Sequence, residues 1–251
     1  MIRIDSHTVI DPGARDHNED DLRVGQAGRC AWAVLSDGAG GHSAGDEASH
    51  RVVTTLDLRL AEASTRGGLD PLALEAAIQQ AHAALNQDQS RLQGQGRQQR
   101  MHATVVALWL DLAQSQAIWA HVGDSRLYLV RSGVAMPLTR DDSVVQQMVD
   151  AGFLSAEDAL HHPRKNQLLS ALGGPDAIDV HVAAAPLEVV AGDAFLLCSD
   201  GWWDVVQPPA VAQTLAVSGD ARDWLERMAT QIVAHGSAQQ DNYSAVCWRL
   251  G

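Results

Sequence analysis

Five short runs of this chain are apolar almost without interruption: AWAVL at 31–35, TVVALWL at 104–110, AIWAHV at 117–122, AFLLC at 194–198 and YSAVCW at 243–248. A strand that alternates apolar and polar residues can leave one face in water, whereas runs of this kind need cover on both faces. Three of the runs lead into an aspartate: Asp37 ends AWAVLS, Asp124 follows AIWAHVG and Asp200 follows AFLLCS. A fourth, Asp241, opens YSAVCWRL. A fold for this chain must bury the runs and bring their acidic ends out somewhere.

Helical patterns occupy 43–62, where Ser43 is placed to cap and Glu47 falls early, and 69–93, where Asp70 and Pro71 open a stretch rich in Ala, Leu and Gln. Two more are predicted at 208–217, behind Pro208 and Pro209, and at 220–234, behind Asp220. Helices paired between groups of strands argue against regular βαβ alternation and for an α+β layering, with sheets inside and helices outside. No repeat or linker divides the chain, so residues 1–251 are expected to form one domain. Residues 140–176, with HHPRKN and LGGPD, are the richest in turn formers and read as an excursion over the surface.

The formal charge of −13 opposes a nucleic-acid partner, since the overall field would repel phosphates. An anionic substrate would need local positive charge, from basic side chains or metal ions. Cys30, Cys198 and Cys247 sit in apolar runs without CxxC spacing and read as buried free thiols of a reducing compartment. The N-terminal residues lack a signal-peptide core, and no apolar run is long enough for a membrane span, so a cytoplasmic location is expected.

One Asp-Gly at a strand end is an ordinary turn, but several acids that follow buried strands form a pattern. Gathered acids repel one another, and burying them unpaired costs several kcal/mol, so a cluster of them implies cations. With oxygen ligands in view and no Cys/His set at zinc spacing, the expected partner is a hard divalent ion, Mg2+ or Mn2+. Glycine after Asp37 and Asp200 lets the backbone turn sharply and bring a carbonyl close to an ion. No Gly-Lys-Ser or Gly-Lys-Thr follows the glycines at 38–41, so this is not a P-loop. The GARDHNEDD segment supplies Arg15, Glu19, Asp20 and Asp21 within one predicted loop, and a guanidinium beside such a centre can hold a phosphate by two hydrogen bonds.

Together these segments resemble the metal-dependent protein phosphatases, the type 2C serine/threonine phosphatases, in their bacterial form. The matching stretches are GARDHNED at 13–20, LSDGAGGHSAGDEAS at 35–49, HVGDSRLYLVR at 121–131, LTRDDSVVQQMVDAG at 138–152, HPRKNQLLSALG at 162–173, LLCSDGWWD at 196–204 and DNYSAVCW at 241–248. They occur in the family's order over nearly the whole chain. The resemblance implies a four-layer α/β/β/α sandwich, two antiparallel sheets face to face with helix pairs outside. It also implies two Mn2+ or Mg2+ ions sharing a bridging water that attacks phosphorus. Asp37 would bridge both ions, the Gly38 carbonyl would bind one, and Asp200 and Asp241 would hold the other. Glu19 and Asp20 would order metal-bound waters and Arg15 would grip the phosphoryl group. Asp124, with Asp200, matches the position that binds a third, weaker ion in many bacterial members. The implied partners are a phosphorylated protein substrate and an opposing serine/threonine kinase, with a monomer as the default state.

The chain departs from the pattern at two places. Eukaryotic members carry a histidine after the first Asp-Gly, thought to protonate the leaving oxygen, where this chain has Ala39; the general acid is thus unassigned, and His42 is a weak candidate. His102 and Ala103 stand where the family commonly has Gly-Thr, while Thr104 is retained. Residues 140–176 match the family's flap, whose Arg164 and Lys165 are candidate phosphopeptide contacts, and Trp202 and Trp203 are candidate walls of the metal pocket. Two other readings stay open: a non-catalytic regulator on the same scaffold, and a metal phosphatase of small phosphoesters.

Overall fold

Alternate residues of one strand feed different cores, and this is why the runs have no polar side. The computed structural model describes residues 2–39, 44–68, 70–94 and 100–251. In chain order its elements are β1 (Ile4–Asp11), β2 (Asp20–Ala27), β3 (Cys30–Ala39), α1 (Ala44–Arg66), α2 (Pro71–Gly94), β4 (His102–Ala103), β5 (Val105–Asp111), β6 (Gln116–Val122), β7 (Arg126–Arg131), β8 (Val134–Pro137), α3 (Val144–Asp150), α4 (Ala156–Leu160), β9 (His181–Val182), β10 (Leu187–Glu188), β11 (Ala194–Cys198), α5 (Asp200–Trp203), α6 (Pro208–Ala216), α7 (Ala221–His235) and β12 (Tyr243–Leu250). One sheet runs β1-β12-β11-β7-β8 and the other β10-β6-β5-β3-β2, with β4 beside β3 and β9 beside β6. Every pairing is antiparallel.

On β3, Ala31, Ala33 and Leu35 enter the core between the sheets, where they share it with Phe195 and Leu197 of β11 and Val246 and Trp248 of β12. The residues between them turn the other way: Trp32 and Val34 pack with Val52, Leu56 and Leu60 of α1 and Leu74 and Ile78 of α2. On the second sheet Leu196, Cys198, Ala245 and Cys247 pack with Val211 of α6 and with Trp224, Leu225 and Met228 of α7. The result is the expected α/β/β/α sandwich, and all three cysteines are buried and free within it.

Helix ends follow local chemistry. Asp220 accepts a hydrogen bond from the Asp223 amide at 2.8 Å at the start of α7, and Asp70 accepts one from the Leu72 amide at 3.0 Å at the start of α2. The cap expected of Ser43, and His42 beside it, lie outside the described residues. Two readings need correction. GARDHNEDD is not one loop, because Asp20 and Asp21 already belong to β2, where Asp20 pairs with Asp37. Residues 140–176 are not irregular throughout: they contain α3 and α4, whose first turns are capped by Ser143 and Ser155. Among the described residues no helix is long and apolar enough to cross a membrane.

Candidate functional site

The four strand-end aspartates meet across two sheets. Asp37 comes from β3 of one sheet, while Asp200 follows β11 and Asp241 precedes β12 of the other. Asp124 lies in the short β6–β7 connection, where the chain passes from the first sheet to the second. All four line a cavity of about 490 Å³, together with Arg15, Glu19 and Gly38.

Neighbours that the motifs do not advertise hold these groups in place. The Asp37 amide donates to Thr104 Oγ1 at 3.0 Å, and the Thr104 amide donates to the Asp37 carbonyl at 2.8 Å. Thr104 Oγ1 also bonds Ser125 Oγ at 2.7 Å, which ties the Asp37 strand to the Asp124 connection. Asn242 fastens the N-terminal loop: its Oδ1 accepts from the Glu19 amide at 2.8 Å and its Nδ2 donates to the carbonyls of Pro12 and His17, both at 2.9 Å. A Cβ at Gly38 would overlap the Gly45 carbonyl, and one at Gly201 the Asn242 carbonyl, so both positions of the Asp-Gly pairs require glycine.

Asp20 lies behind this wall rather than on it. It is buried, and its Oδ2 accepts from Ser199 Oγ at 2.8 Å, while among the described residues Oδ1 has no hydrogen-bond partner. The Arg15 guanidinium stands at the mouth, half-exposed, with one nitrogen 2.9 Å from Asp241 Oδ2.

Burial, then mutual repulsion, sets the charge of the cluster. Asp37 is pushed well above the usual carboxylate range by burial and by Asp20, Asp200, Asp124 and Asp241. Burial and then Asp200 do the same to Asp124. Asp200 rises to about 7, by burial and then Asp241, and Asp20 to about 6, chiefly by burial. Glu19 is raised as well, by burial and then by Asp46 and Asp241. Acids that hold protons so tightly are a poor resting arrangement without cations. A set of carboxylate oxygens with a backbone carbonyl fits Mg2+ or Mn2+ better than a metal that prefers nitrogen or sulfur.

Some predicted residues lie elsewhere. Lys165 forms an ion pair with Asp204 and lines a second cavity of about 370 Å³, and Arg164 Nε bonds Gln167 Oε1 at 2.7 Å; neither lines the acidic cavity. Trp202 and Trp203 do not wall it either. Both are buried in the core under α6 and α7, and the Trp203 indole donates to the Asp124 carbonyl at 2.9 Å from behind. Conversely, Asp16, His17, Asn166, Leu168, Ala171 and Asn242 line the cavity and were not singled out from the sequence. Asn242 had a legible signal, since it follows Asp241 directly. His17 lies within GARDHNED and the three flap residues within HPRKNQLLSALG, but nothing in those stretches set these residues apart from their neighbours.

Comparison with known proteins agrees with this geometry. A family model described as Protein phosphatase 2C matches residues 13–241. A Serine/threonine phosphatase stp of Listeria innocua is 36% identical over 207 residues, covering 80% of this chain and 78% of its own length. The crystal structure of the Mycobacterium tuberculosis serine/threonine phosphatase PstP/Ppp superposes with a TM-score of 0.85 at 29% identity, covering 99% of both chains. The catalytic domain of PstP in complex with two manganese ions superposes with a TM-score of 0.83 at 28% identity, covering all of this chain and 99% of that one. The chain belongs to the protein phosphatase 2C family.

Proposed function

We propose that this chain hydrolyses phosphoserine and phosphothreonine in proteins, in opposition to a serine/threonine kinase, and that residues 1–251 act as one catalytic domain. The observation that carries the reading is the convergence of Asp37, Asp124, Asp200 and Asp241 from two sheets on a single cavity with Arg15 at its mouth. The PstP catalytic domain described above was solved with two manganese ions, which supports a two-ion centre here. Asp37 and the Gly38 carbonyl would hold one ion, Asp37, Asp200 and Asp241 the other, and Asp124 with Asp200 a third. When bound, such ions supply Lewis-acid activation of water and offset the charge of the transferring phosphoryl group.

The protein's own groups have distinct parts. Arg15 spends one nitrogen on Asp241, and among the described residues its other donors have no partner and are available for two phosphoryl oxygens. Glu19, fixed by Asn242, faces the cavity and orients water there, while Asp20 presents from behind an Oδ1 that has no hydrogen-bond partner among the described residues. Among the described residues two histidines line the cavity, His17 and His102. His102 pairs across β3 and β4 with Ala39, so an imidazole stands beside the position where the family resemblance expects one, and we assign it the protonation of the leaving oxygen. The flap contributes Asn166, Leu168 and Ala171 to the wall, which fits a peptide lying against it.

The test is phosphate release from a phosphothreonine peptide and from a small aryl phosphate, with Mn2+ added and then removed by EDTA. Metal-dependent turnover that favours the peptide is expected. Equal or better turnover of the small ester would shift the substrate class, and no turnover with metal bound would make the chain a regulator.

A further inference from the structure

Outside the acidic cavity, a second group of side chains brings ligand atoms near one another. His121 of β6 is only 5% exposed, and its Nε2 lies 2.7 Å from the Arg140 carbonyl. A carbonyl only accepts, so Nε2 carries the proton and Nδ1 carries the lone pair. Among the described residues that Nδ1 is buried without a hydrogen-bond partner. His181, paired with His121 across β6 and β9, has its Nε2 2.8 Å from Asp142 Oδ1, a hydrogen bond whose proton a bound metal ion would displace. The two imidazole rings have centroids 4.9 Å apart, and one ligand atom from each of His121, Asp142 and His181 lies within 4.8 Å of the others.

A buried nitrogen lone pair with nothing to accept is costly, and a metal ion relieves it. Two imidazole nitrogens and one carboxylate oxygen suit Zn2+ and its transition-metal neighbours, whereas Mg2+ seeks oxygen alone. The supporting contacts are also of the right kind. The Arg140 carbonyl fixes the ligating tautomer of His121, and Asp142 is oriented by the Gly123 amide, which donates to its Oδ2 at 2.9 Å. His181 is half-exposed and opens the point to solvent.

We propose that His121 Nδ1, His181 Nε2 and Asp142 Oδ1 bind one divalent transition-metal ion of the Zn2+ class, separate from the carboxylate centre. The ion would brace the start of the flap, where Asp142 lies, against the strand that leads through Gly123 to Asp124. The assignment does not depend on the phosphatase reading.

Zn2+ is titrated by equilibrium dialysis in excess Mg2+ into wild-type protein, into His181→Ala, and into a protein carrying both Asp37→Asn and Asp200→Asn. Co2+ serves as a second probe through its visible absorption. His181 sits half-exposed on a two-residue strand, so its loss leaves the cores intact, and circular dichroism checks this. The wild-type and double-variant proteins are expected to share a Zn2+ equivalent that His181→Ala binds at least about tenfold more weakly. Unchanged stoichiometry and affinity in His181→Ala, or Zn2+ lost only from the double variant, would overturn the proposal.

Discussion

Asp37 sits where four other carboxylates raise its pKa, so its charge is the quantity to remove without changing its shape. Asp37→Asn is expected to keep the fold and lower kcat by roughly a thousandfold or more, since the lost ion binding is worth several kcal/mol of transition-state stabilisation; steady-state rates with Mn2+ check this. Arg15→Lys retains the charge but loses the planar fork, and a charge-assisted hydrogen bond is worth about 1.5–3 kcal/mol. A fall of at least about tenfold in kcat/KM toward the phosphopeptide is expected, and an unchanged value would remove Arg15 from phosphoryl binding. For His102 the discriminating readout is leaving-group dependence. His102→Ala should slow esters of poor leaving groups far more than aryl phosphates with good ones, because only the former need a proton. A uniform effect would make His102 a wall of the cavity and nothing more.

At the scale of elements, the site depends on strands being held in register from behind. Thr104 joins β3 to the chain before β5 and bonds Ser125 across the inter-sheet connection, so it is the peg between Asp37 and Asp124. Thr104→Val leaves the Asp37 amide and the Ser125 hydroxyl without this partner, at a cost of about 1–3 kcal/mol. The expected outcome is a lower midpoint in urea together with weaker Mn2+ binding, because Asp37 loses its support; an unchanged metal affinity would mean that the strands alone fix it. The strong apolar runs announced β3, β5, β6, β11 and β12, whereas β1 and β8 carry mixed, partly exposed patterns and no such run. The short helices α3 and α4 escaped notice because five to seven residues hold too little period to register, and their serine caps are common in turns.

For the whole molecule, the acidic cluster links stability to pH and metal. In metal-free protein Asp20 is raised to about 6 and Asp200 to about 7, both above the ordinary value of ~4. A carboxyl whose folded pKa is raised contributes stability that is fully present below pH ~4 and is lost as the pH rises through 6–7, where the folded state must give up the proton. In EDTA, Asp200→Asn is therefore expected to be more stable than wild type at about pH 8, by on the order of a few kcal/mol, with the gap closing below pH ~4. Saturating Mn2+ should reverse the order at the higher pH, because wild type alone keeps the full ligand set. Thermal melts across the pH range check both signs, and a pH-independent gap would contradict the electrostatic account.

The sequence by itself determined the α+β class, the helix pairs, the buried strands and the acids at their ends, because periodicity, caps and Asp-Gly turns are local properties of the chain. It also carried the family, through motifs spread in order over nearly all of its length. Only the tertiary structure decided that the acids meet between two sheets, that Asp20 is buried beside Asp37 on the neighbouring strand, and that Thr104, Ser199 and Asn242 hold the assembly. It alone placed His102 opposite Ala39 and gathered His121, Asp142 and His181 from distant segments. Such contacts arise from strand pairing and chain crossing between residues far apart in sequence, and no local pattern encodes which of many acids or histidines will face one another.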